Sequence, residues 1–520
     1  MAFVGTGAGA QETKAVPVVT AAVQVTTNPA PARAHSSPQI ARDPRTGTLA
    51  VVESDPRGDS RACKVHISTN GGANWAPGGE LMTKPFTDCA FYGEYGPMAS
   101  VGFGRDGTLY VAFIASEILN RERDLTPRHF FLARSSDSGR TFTTAKAFDA
   151  PDGNPDIGLN KGPTLAVDPN NPQKVYIGWR QGIRGASAKE NLKTNVAASV
   201  DGGRTFAAPV NIADERGGDY PWMAVGADGT VHAVYWTRTG TFPLLPAGQA
   251  NPPRPIIYVR STDGGKTWSP RQEIDPGNQR SGSPRPPVLA ADPNSANLYV
   301  AWYSNTEPMN AAADFQGDME IFFRRSTDGG KTWGNRAVLN DDKNPGGRPA
   351  NQFDPGISIA PNGRVDVAWY DGRLNPKPPV AGTGNDENGF QDVFYASSVD
   401  GGASWSPNVR VTDRSMDRRF GVWSNAGGGN HHTVGIASTN DTVFFAWQDT
   451  RNANEVSHAE DVYFATLKPD GFEVAASGDG GDTGVPPWLL VGAGMAGGLG
   501  LAMVVVAITS SRRRPTPMPA

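Results

Sequence analysis

One eight-residue pattern, Ser-x-Asp-x-Gly-x-x-(Trp/Phe), recurs six times along this 520-residue chain and limits its fold more than any other feature. The copies run Ser68 to Trp75 (Asn70 standing in for Asp), Ser135 to Phe142, Ser199 to Phe206, Ser261 to Trp268, Ser326 to Trp333 and Ser398 to Trp405. Successive starts lie 62 to 72 residues apart, and self-similarity at a near-constant period marks a repeat architecture. Each copy has the chemistry of a hairpin turn. The carboxylates of Asp137, Asp201, Asp263, Asp328 and Asp400 are placed to accept backbone N–H groups across the turn. The fifth-position glycine supplies a positive φ, and the aromatic buries a large face against neighbouring strands. These residues read as scaffold.

Around each copy the same unit recurs. A first strand follows Pro or Gly (163–169, 287–293, 355–361), and a second ends in Trp (175–179, 298–302, 365–369). A third strand enters the pattern and a fourth leaves it, as in 209–213. Four short strands per unit is the make-up of a propeller blade. A seventh unit, 432–467, lacks the pattern and a full fourth strand, while 22–26 resembles a fourth strand with no first three. Pairing the two closes the ring and removes its exposed edges. The expectation is an all-β fold, a β-propeller of four-stranded blades over residues 20–474, with seven blades favoured and six the alternative. Gly 62 and Pro 43, set between short runs of Val, Ile, Tyr, Phe and Trp, suit such a fold. No helical periodicity precedes residue 485.

The two ends predict an address. Residues 488–508 carry no charge and match the ~20 residues of a transmembrane helix. Arg512, Arg513 and Arg514 follow, so the propeller is expected outside and the tail 509–520 in the cytoplasm, with 475–487 as linker. Within the segment 1–19, Ala8-Gly9-Ala10 reads as the cleavage site of a signal peptide. The two cysteines, Cys63 and Cys89, form a disulfide on the outside of a cell or remain two buried thiols. No Cys/His cluster calls for a metal, no cofactor is implied, and a net charge of -4 gives no reason to expect nucleic acid.

Turns after first strands are short, and turns after third strands are the stereotyped repeats. The long loops all follow second and fourth strands, so the functional face is expected opposite the repeats. Charged residues gather there. Arg180, Arg238, Asp371 with Arg373, and Asp449 with Arg451 follow second-strand aromatics, while Glu53 and Arg57 end that strand in the first unit. Tyr92, Glu94, Tyr95, Lys161, Tyr220, Arg285, Asp354, His431 and His432 stand at first-strand entrances. Arg180, Arg238, Arg373 and Arg451 are candidate ligand-binding residues, since guanidinium forks suit a carboxylate. The other reading makes Trp-x-Asp-x-Arg a structural repeat in which Asp and Arg pair between blades.

STDGGKTW at 261 and 326, and VDGGRTF at 200, resemble the Asp boxes (BNR repeats) typical of sialidases and other Asp-box β-propellers. The resemblance covers roughly residues 20 to 470 and implies a glycoside hydrolase of exo-α-sialidase type acting on glycans. A non-catalytic glycan- or protein-binding propeller of the cell envelope is the alternative. Sialidases have six blades, three arginines for the sugar carboxylate, a Tyr nucleophile activated by Glu, and an Asp acid/base. By that resemblance Tyr95 or Tyr92 with Glu94 forms the nucleophile pair, and Asp371, Asp354 or Asp449 the acid. GTLAVVESDPR (47–57) resembles the segment after the family's Phe-Arg-Ile-Pro motif. Aligning that motif's Pro with Pro38 puts Ser36 at its Arg.

Overall fold

The computed structural model describes residues 17–27, 35–55, 62–81, 87–88, 99–116, 129–149, 161–182, 192–213, 217–219, 221–237, 255–277, 285–305, 319–342, 350–374, 389–417, 420, 433–457 and 459–469. These form seven antiparallel sheets and, among the described residues, no helix. Blade 1 runs Ser36–Arg42, Leu49–Asp55, Ala62–Ser68, Ala76–Pro77. Blade 2 runs Ala99–Phe103, Leu109–Ser116, His129–Ser135, Thr143–Phe148, and blade 3 Lys161–Val167, Val175–Gly182, Leu192–Ser199, Val210–Asn211. Blade 4 is Trp222–Val225, Val231–Trp236, Ile256–Ser261, Gln272–Asp275, and blade 5 Arg285–Ala291, Leu298–Asn305, Met319–Ser326, Ala337–Val338. Blade 6 is Gln352–Ile359, Val365–Asp371, Phe390–Ser398, Val409–Arg410.

Blade 7 has three strands of its own, Gly435–Ser438, Val443–Asp449 and Asp461–Lys468. Its outer strand comes from the other end of the chain. Val18 and Val19 lie opposite Lys468 and Leu467, and Val23 and Gln24 opposite Phe464 and Tyr463. The seventh blade and its N-terminal fourth strand are as the sequence implies. Each first strand touches the first strands of both neighbouring blades, round the ring and back from blade 7 to blade 1, so first strands line the axis.

The repeats form the expected turns. Ser261 Oγ donates to Asp263 Oδ1 at 2.8 Å and accepts from Gly265 N at 2.8 Å, while Lys266 N and Thr267 N donate to Asp263 Oδ1 at 3.1 and 2.9 Å. Each turn also keys its blade to the one before. Trp75 of blade 1 meets Phe464 of blade 7 edge-on at 5.2 Å, and Trp405 of blade 6 meets Phe323 of blade 5 at 4.8 Å. Only glycine fits at Gly72, where φ is +91° and a Cβ would sit 2.0 Å from the Phe464 ring. Cys63, in the third strand of blade 1, is disulfide-bonded; the other cysteine, Cys89, lies outside the described residues. The segments 488–508 and 509–520 also lie outside them, and among the described residues no helix is long and apolar enough to cross a membrane.

Hydrogen bonds from Thr267 and Ser261 hold the Asp263 carboxyl well below the usual carboxylate range. Asp137 and Asp201 are lowered in the same way. At Asp328 burial pulls upward, but bonds from Thr332 and Ser326 bring the carboxyl down from 3.8 to about 2, and Asp400 behaves alike. A folded value below the unfolded one adds stability that is complete above the unfolded value and is lost as pH falls through the folded one. The melting temperature should therefore hold steady above about pH 4 and fall steeply toward pH 2. Asp263→Asn with Asp328→Asn should flatten part of that slope; a wild-type profile level down to pH 2 would contradict this account of the turns.

Candidate functional site

Register fixes which end of the ring is which. Each repeat's serine lies opposite the start of its blade's second strand, as Ser68 does Leu49 and Ser326 does Leu298. Second strands therefore end, and first strands begin, on the face opposite the repeats. Tyr92, Glu94, Tyr95, Tyr220, Arg238, His431 and His432 belong to this face by sequence and lie outside the described residues.

The two Trp-x-Asp-x-Arg segments form matching staples. Asp371, fully buried, accepts Trp369 Nε1 at 2.8 Å, Arg373 N at 2.8 Å and an Arg373 guanidinium N–H at 2.8 Å. Arg373 then reaches back to Asp341, past the fourth strand of blade 5, at 2.7 Å, and its guanidinium lies 4.2 Å from the centre of the Phe394 ring. In blade 7, Asp449 accepts Trp447 Nε1 at 2.8 Å and Arg451 Nε at 2.9 Å, while Arg451 bonds Asp413 of blade 6 at 2.8 Å. Burial opposes the charge on Arg373, but the carboxylates of Asp371, Asp342 and Asp341 keep it firmly protonated. The Asp–Arg pair thus closes within a blade, and the arginine adds the link to the preceding one. Arg180 is also fully buried and bonds Asp219, at the entrance to blade 4, at 3.1 and 3.2 Å. Arg180, Arg373, Arg451 and Asp371 all sit in blade seams, held by protein partners.

A different signal lies in the second strands. Four residues on from the start of each lies Phe113, Trp179, Tyr235, Trp302, Trp369 or Trp447 in blades 2 to 7, all fully buried. Blade 1 has Glu53 there, 1% exposed. An aromatic side chain buries roughly 150–250 Å², worth about 25 cal/mol per Å², so a carboxylate is a costly substitute. His35 Nδ1 and His66 Nε2 bond Glu53 Oε1 at 3.0 and 3.2 Å, while among the described residues Oε2 has no partner. Burial alone would raise this carboxyl from its ordinary 4.5; His35, with help from His66, instead holds it at about 2. Nothing in the sequence singles out the two histidines, although the loss of an aromatic at position 53 marks the place.

First-strand entrances show a second break. Ser37 and Asp354 carry φ of 56° and 50°, each before a proline and within a register shift. Blade 3 has Gly162 at the matching position, with φ 95°. A non-glycine residue in that region costs roughly 1–2 kcal/mol, and such outliers gather at functional sites. Asp354 is buried, at 1% exposure, in the strand that lines the axis. Blades 6 and 1, on either side of blade 7, thus carry the strained entrances.

A family model, BNR/Asp-box repeat, matches residues 259–270. Over 115 residues the chain is 32% identical to a sialidase of Bacteroides fragilis (strain YCH46), a match spanning 21% of this chain and 21% of that protein. The chain is a β-propeller that carries Asp-box repeats and is similar to a sialidase over part of its length. Similar solved structures include the phage phi92 endosialidase (TM-score 0.45, 10% identity, 90% of this chain and 71% of that one). Others are an α-L-arabinanase of Penicillium chrysogenum with arabinobiose (0.43, 15%, 68% and 94%) and an α-L-arabinofuranosidase of Fusarium graminearum with arabinobiose (0.42, 15%, 71% and 92%).

Removing one partner from a buried ion pair costs roughly 3–5 kcal/mol. Arg373→Leu in this Asp-box propeller should accordingly lower urea-unfolding stability by about that much. Unchanged stability would show that Arg373 is available for another role.

Proposed function

We propose that this sialidase-like propeller acts on glycans at the axial mouth opposite the Asp boxes, as an exo-α-sialidase type glycoside hydrolase. The 115-residue stretch 32% identical to a curated sialidase carries this reading. The blade 1 break at Glu53 and the strained entrances at Ser37 and Asp354 support the choice of face. Tyr95, activated by Glu94, is the nucleophile, because a phenol of pKa ~10 needs a basic neighbour to attack at neutral pH. With Asp371 held by Trp369 and Arg373, Asp354 takes the acid role. A second reading, a glycan-binding propeller without catalysis, is favoured by the arginines held in seams and by Ser36 at the family's arginine position. Residues 488–508 hold the chain to the plasma membrane with the propeller outside.

Release of 4-methylumbelliferone from its N-acetylneuraminic acid glycoside tests the chemistry. Wild type should turn over, and Tyr95→Phe with Glu94→Gln should lose roughly a thousand-fold or more in kcat. Asp354→Asn should lose about a hundred-fold or more. An inert wild type that still binds sialylated glycans on an array would favour the binding reading. Carbonate washing of membranes should leave the full chain in the pellet; its release would contradict the anchor.

A further inference from the structure

The seam between blades 7 and 1 is built differently from the others. Its apolar part joins Val25, Ile40, Leu49 and Val51 to Phe444, Ala446, Val462 and Phe464. Alternate residues of a strand share a face. Glu53 therefore lies on the face that Leu49 and Val51 turn to blade 7, and Gln448 on the face that Phe444 and Ala446 turn to blade 1. Both stand at the end of the seam nearest the candidate mouth.

Gln448 is fully buried, and among the described residues neither its side-chain oxygen nor its side-chain nitrogen has a hydrogen-bond partner. Blade 6 has Tyr370 at the matching position, and its hydroxyl accepts Gln448 N at 3.1 Å. In one seam an aromatic has thus become a glutamate, and the facing strand of that seam carries a buried amide. Among the described residues, Glu53 Oε2, Gln448 Oε1 and Gln448 Nε2 have no hydrogen-bond partner. Buried polar atoms are rarely left so.

We propose that this seam is a hydroxyl-binding site. A hydroxyl can donate to the Glu53 carboxylate or the Gln448 carbonyl and accept from the Gln448 amide, so hydroxyl groups in the seam would satisfy these atoms. A bond to an ionised carboxylate is the stronger kind. His35 and His66 are positioning residues, each bonded to Oε1, which leaves Oε2 to face the ligand. The hydroxyls come from a glycan reaching in from the mouth, which rests on the proposed function, or from ordered water, which does not.

Crystal structures of the full chain, free and soaked in N-acetylneuraminic acid, distinguish the two. A sugar hydroxyl within 2.5–3.2 Å of Glu53 Oε2 or the Gln448 amide supports the site with a glycan as its source. Water there in both crystals supports the site with water as its source, whatever becomes of the glycan reading. Neither group there, or a side chain or metal ion instead, overturns the proposal. Gln448→Leu, an apolar change of similar size that should fold, adds a solution readout. With a glycan as source, the affinity for the sugar should fall about five- to tenfold with no loss of melting temperature. With water as source, a crystal of the Gln448→Leu variant should lack that water. Unchanged affinity together with retained water overturns the proposal.

Discussion

Residues 18–24 pair with the strand Asp461–Lys468, and everything else in the ring depends on that contact. Without it the last blade would present an open edge of unpaired N–H and C=O groups, a template for aggregation. The pairing also fixes where blade 7 stands against blade 1, since Val25 joins the apolar cluster of that seam. Thr26 continues the closure in polar form: its hydroxyl donates to Asp461 Oδ1 at 3.3 Å and accepts from Val462 N at 3.1 Å. The first and last strands of the ring therefore meet next to the seam where the aromatic plug is missing.

The other seams show what that position usually does. Trp179 of blade 3 stacks on Phe130 of blade 2 at 5.0 Å, and the staples at Trp369 and Trp447 add ion pairs to the same kind of packing. Such filling makes rigid joints. Blade 1 replaces it with a buried carboxylate held by two histidines. Strain at Ser37 and Asp354 points to the same sector.

Much of the architecture is legible in the sequence because its causes are local. A turn needing positive φ and a side-chain acceptor announces itself as Gly and Asp at fixed spacing, and six such turns give the blades and their faces. Even the ring closure can be read, since AVQVT (22–26) has strand character and no partners nearby. The charged residues are harder. Arg373 looks like a ligand arginine until Asp341, 32 residues earlier, is seen beside it. Glu53 meets His35 across 18 residues of chain and His66 across 13, distances at which no local pattern applies. The Arg373–Asp341 pairing crosses a seam and depends on how two blades dock, which a single strand's sequence does not carry; the Glu53 contacts depend on the register of three strands within blade 1.

Residues 18–24 are the structural fourth strand of blade 7. The most direct measurement compares melting temperatures of chains that begin at residue 17 and at residue 28. The first should melt with the full-length protein. The second should melt well below it and aggregate through the exposed edge of Asp461–Lys468. Equal melting temperatures for the two would contradict the closure, and with it the seven-bladed account of the ring.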